Sequence, residues 1–313
     1  MKSSFLPRRI VLAVLLAFVS LPVLLIAQQG TPVSNQTVDF LVVGDWGTGG
    51  VGAKRVAKAM TSVYRQHGAT AVLSTGDNFY PSGVSDVNDP QWQRTFEKVF
   101  TASDLPVPFW AVLGNHDYRK NPDAQVAYSG RTLTDGSVTR WRMPGRSWST
   151  AFASADGHVR VRVIGIDTQQ LIAGAEKRKA HLAWIDSALA ASDEEWKLLV
   201  GHHPVYSHGH YKDNATMKRH LSPLMERHGV HAYVNGHDHD LQVIKQVHGI
   251  RYLISGGGAS NRKTAPGERT EFCAASMGFM RIACSKESML IEVYDANAKL
   301  LYSTVDPRER NRR

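Results

Sequence analysis

The chain has very little cysteine, with only Cys273 and Cys284 among its 313 residues. Neither has a histidine or a second cysteine at the spacing that structural zinc sites use, and this excludes a cysteine-based metal site. In an oxidising compartment the two thiols are expected to form a disulfide, and two separate buried thiols are the alternative. The sequence leaves both open.

The chain also lacks the glycine-rich loops that bind nucleotides. Glycines are frequent from Gly47 to Gly52, but their spacing matches neither the dinucleotide fingerprint nor the phosphate loop. This stretch is therefore predicted to be a turn that connects a strand to a helix.

Basic residues are not concentrated in one patch, although the formal net charge is +9. Lys2, Arg8 and Arg9 supply part of this charge at the N-terminus. The remaining excess is scattered, apart from a basic tail, residues 307–313, that is predicted to be a solvated end. No nucleic-acid partner is expected, and the charge supports a mild attraction for small anionic substrates.

Residues 1–27 combine this basic N-terminus with an uncharged run, residues 10–27. The pattern predicts an export signal peptide, with an uncleaved N-terminal membrane anchor as the alternative. Leu25 makes the cleavage pattern poor, and Pro22 weakens a straight spanning helix. The protein is expected to be exported, whether periplasmic, secreted or membrane-anchored facing outside the cytoplasm, with a membrane as partner only if this segment is uncleaved. A polar linker, residues 28–36, follows.

Five segments share one pattern, an apolar run that ends in glycine and is followed by residue types that bind metals. These residues are Asp45, then Asp77 and Tyr80, then Asn115, His116 and Asp117, then His202 and His203, and finally His237 and His239. The apolar runs have the length of buried strands. Because α/β sheets build sites at the carboxyl ends of their strands, the five segments are predicted to converge on one site.

The order of the patterns predicts the fold. Strand and helix patterns alternate up to residue 234, and strand patterns alone follow. This order predicts an α/β protein, a layered α/β/β/α sandwich with a single catalytic domain over residues 37–306. Residues 91–100 and 215–227 are each predicted to be one helix, and residues 118–148 are predicted to be irregular.

The set of side chains at the predicted site is too oxygen-rich for a structural zinc site and too large for one ion. It suits two hard or borderline metals that share a bridging carboxylate. Two such metals are the standard apparatus for in-line attack on phosphorus.

The five segments resemble those of the calcineurin-like metallophosphoesterases, and more narrowly those of the small purple, tartrate-resistant acid phosphatases. They are Asp45-Trp46-Gly47, Gly76-Asp77-Asn78-Phe79-Tyr80, Gly114-Asn115-His116-Asp117, Gly201-His202-His203-Pro204 and Gly236-His237-Asp238-His239. The resemblance implies an exported acid phosphatase that hydrolyses small phosphomonoesters by direct attack of a metal-bound hydroxide. The alternatives are a phosphodiesterase of the same superfamily and a non-catalytic, anchored phosphate- or metal-binding protein.

The resemblance also implies a role for each residue. Fe(III) would be bound by Asp45, Asp77, Tyr80 and His239. A second divalent metal, Fe, Zn or Mn, would be bound by Asp77, Asn115, His202 and His237, so that Asp77 bridges the two. His116 would stabilise the phosphate and protonate the leaving alkoxide, with Asp117 holding its tautomer. His208 and His210 are further candidates for the same acid role.

Three positions depart from the family's pattern. Its tyrosine after the fourth-motif histidine is His203 here, its histidine after the third motif is Tyr118, and its closing asparagine is Asp240. None of the three is an expected ligand. These departures therefore bear on substrate preference and pH optimum.

Overall fold

The computed structural model describes Met1 and residues 36–308. The predicted export segment beyond Met1, the linker up to residue 35 and the basic tail from residue 309 lie outside the described residues. Within the part of the chain that is described, no helix is long and apolar enough to cross a membrane.

Two seven-stranded sheets form the centre of the fold. The first sheet contains β1 (Val38–Val43), β2 (Ala71–Ser74), β3 (Phe109–Ala111), β4 (Trp141–Arg142), β12 (Gly278–Cys284), β13 (Ser288–Asp295) and β14 (Leu300–Pro307), in the spatial order β14-β13-β12-β1-β2-β3-β4. The second contains β5 (Trp148–Ala153), β6 (Arg160–Gly165), β7 (Trp196–Val200), β8 (Ala232–Asn235), β9 (Leu241–Val247), β10 (Ile250–Ser255) and β11 (Thr270–Ala274), in the order β11-β9-β10-β8-β7-β6-β5.

The first sheet is parallel from β1 to its β4 edge and antiparallel toward β14, and the second is parallel in its middle and antiparallel at both edges. Strands β1 to β4 run parallel in the first sheet, and β6, β7, β8 and β10 run parallel in the second. Parallel strands direct their carboxyl ends to one edge of a sheet, which is where the five motifs begin.

The main core lies between the two sheets. Strand β1 shows why the motif strands are largely apolar, because all six of its residues are buried. Its one charged residue, Asp39, is paired with Arg281. Val38, Phe40 and Val42 belong to the core between the sheets, whereas Leu41 and Val43 pack on the helical side. A strand buried on both faces requires apolar side chains on both faces.

Helices cover the outer face of each sheet. The first sheet packs against α1 (Val51–His67), a π-helical segment (Trp92–Glu97) and α2 (Pro122–Ala127). The second packs against α3 (Thr168–Ile172), α4 (Ala175–Ala190), α5 (Ala215–His220) and α6 (Ser222–Arg227). The predicted α/β/β/α sandwich with a single domain is confirmed.

Local structure differs from the prediction in two places. Residues 118–148 are not wholly irregular, because Asn121 accepts a hydrogen bond from the Asp123 N–H and begins α2 with Pro122 at its first position. Residues 215–227 form two helices, α5 and α6, since Pro223 cannot continue the first helix and suits the first turn of the second.

The two cysteines are not joined by a disulfide. Cys273 lies on β11 of the second sheet, and Cys284 is buried at the end of β12 in the first. Both are free cysteines, so the disulfide alternative is wrong.

Candidate metal centre

The seven predicted metal ligands lie together at the carboxyl edge of both sheets. Asp45 follows β1, Asp77 and Tyr80 follow β2, and Asn115 follows β3, so the first sheet supplies every oxygen donor. His202 follows β7, and His237 and His239 follow β8, so the second sheet supplies every imidazole.

Contacts sort these side chains into two groups. In the first group, the Tyr80 hydroxyl lies 3.1 Å from Asp45 Oδ1, 2.9 Å from Asp77 Oδ2 and 3.2 Å from His239 Nε2. The His239 ring nitrogen lies 3.3 Å from Asp45 Oδ1. This group of four donors can enclose one cation.

The second group is built around His202. Its Nε2 lies 3.1 Å from Asn115 Oδ1, 3.1 Å from His237 Nδ1 and 3.6 Å from Asp77 Oδ1. Asp77 therefore belongs to both groups, with Oδ2 directed at the first and Oδ1 at the second. This is the geometry that a bridging carboxylate requires.

The backbone of three ligand residues is in the left-handed region. The φ angles are 59° at Asp45, 52° at Asp77 and 69° at His237. Such conformations cost about 1–3 kcal/mol each in non-glycine residues and persist where the surroundings fix them. Here the His237 N–H donates to Asp45 Oδ2 at 2.9 Å.

Gly114 is required beside Asp77. A Cβ at this position would lie 2.2 Å from Asp77 Oδ1, closer than packed atoms approach. Because Gly114 has no side chain, there is room beside it for the carboxylate of Asp77.

Hydrogen bonds outside the cluster set the tautomers of its histidines. His202 Nδ1 lies 2.9 Å from the Thr75 carbonyl, which only accepts, so this nitrogen carries the proton. When the ring is neutral, the lone pair of Nε2 faces the oxygens of Asp77 and Asn115, an arrangement that favours a proton or a metal cation between them. An outer carbonyl partner is typical of metal-bound histidine. The residues present therefore fit a metal.

The pKa values of the cluster reflect burial and crowded charge. Burial, with the carboxylates of Asp45 and Asp77, raises the pKa of Tyr80. Burial lowers the pKa of His202, but Asp77 and Asp45 outweigh it, so that pKa is raised. Burial and then His202 lower the pKa of His237. The carboxylates of Asp45 and Asp77 therefore favour positive charge at this site.

His116 lies at the edge of the cluster. Its Nε2 is 4.0 Å from Asp77 Oδ2, and its side chain is 22% exposed. Its Nδ1 lies 2.7 Å from the Pro81 carbonyl, which fixes the proton on Nδ1. The prediction that Asp117 holds the His116 tautomer is therefore wrong, because the backbone of Pro81 holds it.

Asp117 is fully buried and accepts hydrogen bonds from the loops that carry the ligands. Oδ2 accepts from the backbone N–H of Gly114 at 2.8 Å and of Asn78 at 3.2 Å, and Oδ1 accepts from Phe79 N–H at 3.2 Å and from Gln125 Nε2 at 2.8 Å. Burial and then Asp77 raise its pKa, against these donors. Asp117 thus holds the second motif against the third.

His208 and His210 make their contacts elsewhere. The His208 ring lies where a Cβ of Gly267 would be, and its backbone N–H donates to Gln242 Oε1 at 3.0 Å. His210 is exposed, and its ring centre lies 4.8 Å from that of Tyr211. The acid role predicted for both stays a prediction.

The three positions that depart from the family's pattern have partners of their own. Tyr118 donates a short hydrogen bond to Asp167. His203 is buried with Nδ1 2.8 Å from the Thr168 hydroxyl, and both carboxylate oxygens of Asp240 accept from the Gln242 amide.

Sequence reasoning missed three residues near the imidazoles. Ser260 Oγ lies 2.9 Å from His239 Nδ1, the Tyr211 ring stacks on His237 at 3.9 Å between centroids, and the Arg262 backbone N–H donates to the His239 carbonyl at 2.7 Å. They belong to loops without a motif. The only sequence signal was their position after segments already assigned to the site.

Comparisons with known proteins agree with this geometry. The model of the calcineurin-like phosphoesterase family matches residues 38–241. The chain is 31% identical over 306 residues to human (Homo sapiens) tartrate-resistant acid phosphatase type 5, covering 86% of this chain and 90% of the relative. It is 32% identical over 294 residues to purple acid phosphatase 3 of Arabidopsis thaliana, covering 86% of this chain and 77% of the relative.

A solved structure described as GAP50, the anchor in the inner membrane complex of Plasmodium, superposes on this chain with a TM-score of 0.80. The two are 24% identical, and the match covers 88% of this chain and 90% of the other. At this identity the likeness shows the fold alone.

Proposed function

Since the chain belongs to the calcineurin-like phosphoesterase family, we propose that it is an exported acid phosphatase that hydrolyses small phosphomonoesters. The proposal rests on one observation above all. Seven donor side chains from five strand ends form two groups that share the carboxylate of Asp77. The similarity to purple acid phosphatases implies a binuclear metal centre. Ligand atoms of Asp45, Asp77 and His202 lie within 4.8 Å of one another, which supports metal binding here.

The metals that we propose are Fe(III) and a second divalent ion, Fe, Zn or Mn. Asp45, Asp77, Tyr80 and His239 would hold Fe(III), and Asp77, Asn115, His202 and His237 would hold the second ion. A phenolate with carboxylates stabilises a hard trivalent ion, whereas two imidazoles and an amide suit a softer divalent ion. The Tyr80 hydroxyl lies between Asp45 and Asp77, which supports its place in the first group.

The two metals supply Lewis-acid activation of water and of the phosphoryl group when bound. The protein's residues supply position and protons. The His116 backbone N–H donates to Asp77 Oδ1 at 2.8 Å. This hydrogen bond fixes the position of the shared carboxylate relative to His116, the proposed general acid. Because the Pro81 carbonyl accepts from Nδ1, a proton taken up by His116 is carried on Nε2, where it can pass to the leaving alkoxide.

Substitution of Asp77 and His202 tests the site. In the metal-loaded protein, Asp77→Asn and His202→Ala should each lower kcat/KM for p-nitrophenyl phosphate by roughly a hundredfold or more, because losing even an outer partner of a metal ligand commonly costs 10–100-fold. His220→Ala, on the exposed end of α5, is the matched control and should leave the rate unchanged. Full activity in either site variant would refute the assignment. A higher rate on a diester than on the monoester would instead support a phosphodiesterase.

Export is supported by the basic N-terminus and the uncharged run of residues 10–27. The test is cell fractionation of the full chain with mass measurement of its mature N-terminus. Recovery of activity in the cytoplasm with the N-terminus intact would refute export.

A further inference from the structure

A guanidinium that none of the five motifs contains lies beside the proposed ligands. The Arg262 backbone N–H donates to the His239 carbonyl at 2.7 Å, which fixes this residue to the loop of a proposed ligand. Its Cζ lies 5.3 Å from the centre of the Tyr211 ring. That ring stacks on His237 at 3.9 Å with an interplanar angle of 19°. Arg262 therefore neighbours the imidazole side of the cluster.

Part of this guanidinium has no protein partner. Its Nη1 is buried and makes no hydrogen bond to any residue in the described part of the chain. A buried donor without a partner costs about 1–3 kcal/mol, and native structures usually satisfy such groups. Arg262 as a whole is half-buried, so part of the residue is accessible to solvent although Nη1 is not.

The charge of Arg262 interacts with residues of the cluster. Burial lowers its pKa, but Tyr211, Tyr80 and Asp45 outweigh burial and raise it. Tyr80 and Asp45 belong to the first ligand group, so the guanidinium is within electrostatic reach of the proposed site.

We propose that Arg262 is a substrate-binding residue that pairs with a non-bridging phosphoryl oxygen and favours dianionic monoesters over monoanionic diesters. The inference rests on the proposed function for the identity of the substrate. A guanidinium is permanently charged, and its planar set of donors matches phosphate oxygens. Because the Coulomb energy is proportional to charge, a dianion gains about twice as much as a monoanion at the same distance.

A purely structural role makes a different prediction. If Arg262 only held Tyr211 against His237, its loss would lower the melting temperature and weaken hydrolysis of both esters in the same proportion, leaving the ratio of monoester to diester hydrolysis unchanged. The two roles are therefore separated by selectivity.

The test compares the metal-loaded full chain with its Arg262→Ala, Arg262→Lys and Lys263→Ala variants. Lys263 is the exposed neighbour, so its variant removes the same charge without the contacts. The measurements are kcat and KM for p-nitrophenyl phosphate and bis(p-nitrophenyl) phosphate, the Kd of inorganic phosphate by calorimetry, and the melting temperature.

Arg262→Ala should weaken phosphate binding and lower kcat/KM for the monoester by roughly tenfold or more, as expected for a lost charged hydrogen bond. The diester should lose less. Arg262→Lys should recover part of the loss because it keeps the charge and not the planar donors, and Lys263→Ala should stay within about twofold of the unsubstituted chain for both esters.

Equal phosphate affinity and equal selectivity in Arg262→Ala and Lys263→Ala would overturn this inference and leave the proposed phosphatase intact. An unsubstituted chain that hydrolyses neither ester, yet binds phosphate through Arg262, would refute the proposed function and retain the anion-binding role. A chain that neither hydrolyses nor binds would refute both.

Discussion

Replacing the Asp117 carboxylate by an amide should destabilise the protein strongly. Oδ2 accepts from Gly114 N–H at 2.8 Å and from Asn78 N–H at 3.2 Å. Oδ1 accepts from Phe79 N–H at 3.2 Å and from Gln125 Nε2 at 2.8 Å. An amide has one oxygen, so Asp117→Asn necessarily places an NH₂ group against donors.

The less damaging orientation of this amide puts its nitrogen at the Oδ1 position. The hydrogen bonds from Phe79 N–H and Gln125 Nε2 are then lost, and both buried donors are left without an acceptor. At about 1–3 kcal/mol for each unsatisfied buried donor, the unfolding free energy should fall by about 2–6 kcal/mol. Rotating Gln125 does not rescue the variant, because its Oε1 accepts from Asn78 Nδ2 at 3.1 Å.

Urea-induced unfolding of the full chain measures this change. The matched control is Asp123→Asn, since Asp123 is a carboxylate with a 65% exposed side chain that pairs with Arg146, and an exposed pair contributes at most about 1 kcal/mol. Equal stability of the two variants would refute the reasoning. If Asp117→Asn instead only shifted the pH profile of hydrolysis, Asp117 would act on His116 after all.

Three further predictions concern pH, the contact between the sheets and colour. Burial lowers the pKa of His231 to about 4. As the pH falls from about 6.5 to 4, the unfolded chain therefore binds a proton that the folded chain does not, and the unfolding free energy falls by up to about 3 kcal/mol. In chemical unfolding at several pH values, His231→Asn should reduce this slope and His220→Asn, which is exposed, should not. Arg251→Ala breaks a buried ion pair between β10 and β14 and should lower the unfolding free energy, measured with urea, by about 3–5 kcal/mol. The control Arg160→Ala breaks an exposed pair and should lower it by less than about 1 kcal/mol. Equal losses of stability would show that burial is not decisive. The iron-loaded protein should be purple or pink, and Tyr80→Phe should abolish that absorption band; a colourless but active protein would contradict the Fe(III) proposal.

The convergence of the seven proposed ligands was predictable because each lies in the loop that follows a strand. A buried run, a glycine and a polar residue are local features, and the parallel order of strands converts them into a common edge. Asp77 could be placed at the centre of the site for this reason.

Other features of the site depend on distance in space and were not predictable. The partner of His116 is the backbone carbonyl of Pro81, which cannot be identified from residue types, and the resemblance wrongly implied Asp117. Arg262 reaches the site through a loop that has no periodic pattern. The cysteines show the same limit, since the spacing of Cys273 and Cys284 could not reveal that they lie in different sheets.

The division of donors between the sheets has a consequence for assembly. Carboxylates, phenol and amide come from the first sheet, and all three imidazoles come from the second. Neither sheet alone offers a complete set for either proposed metal, so both ions can be captured only after the two sheets have docked. Each ion would then be bound by residues of both sheets and would stabilise the contact between them. Loss of the metals and separation of the two sheets would therefore be one cooperative event.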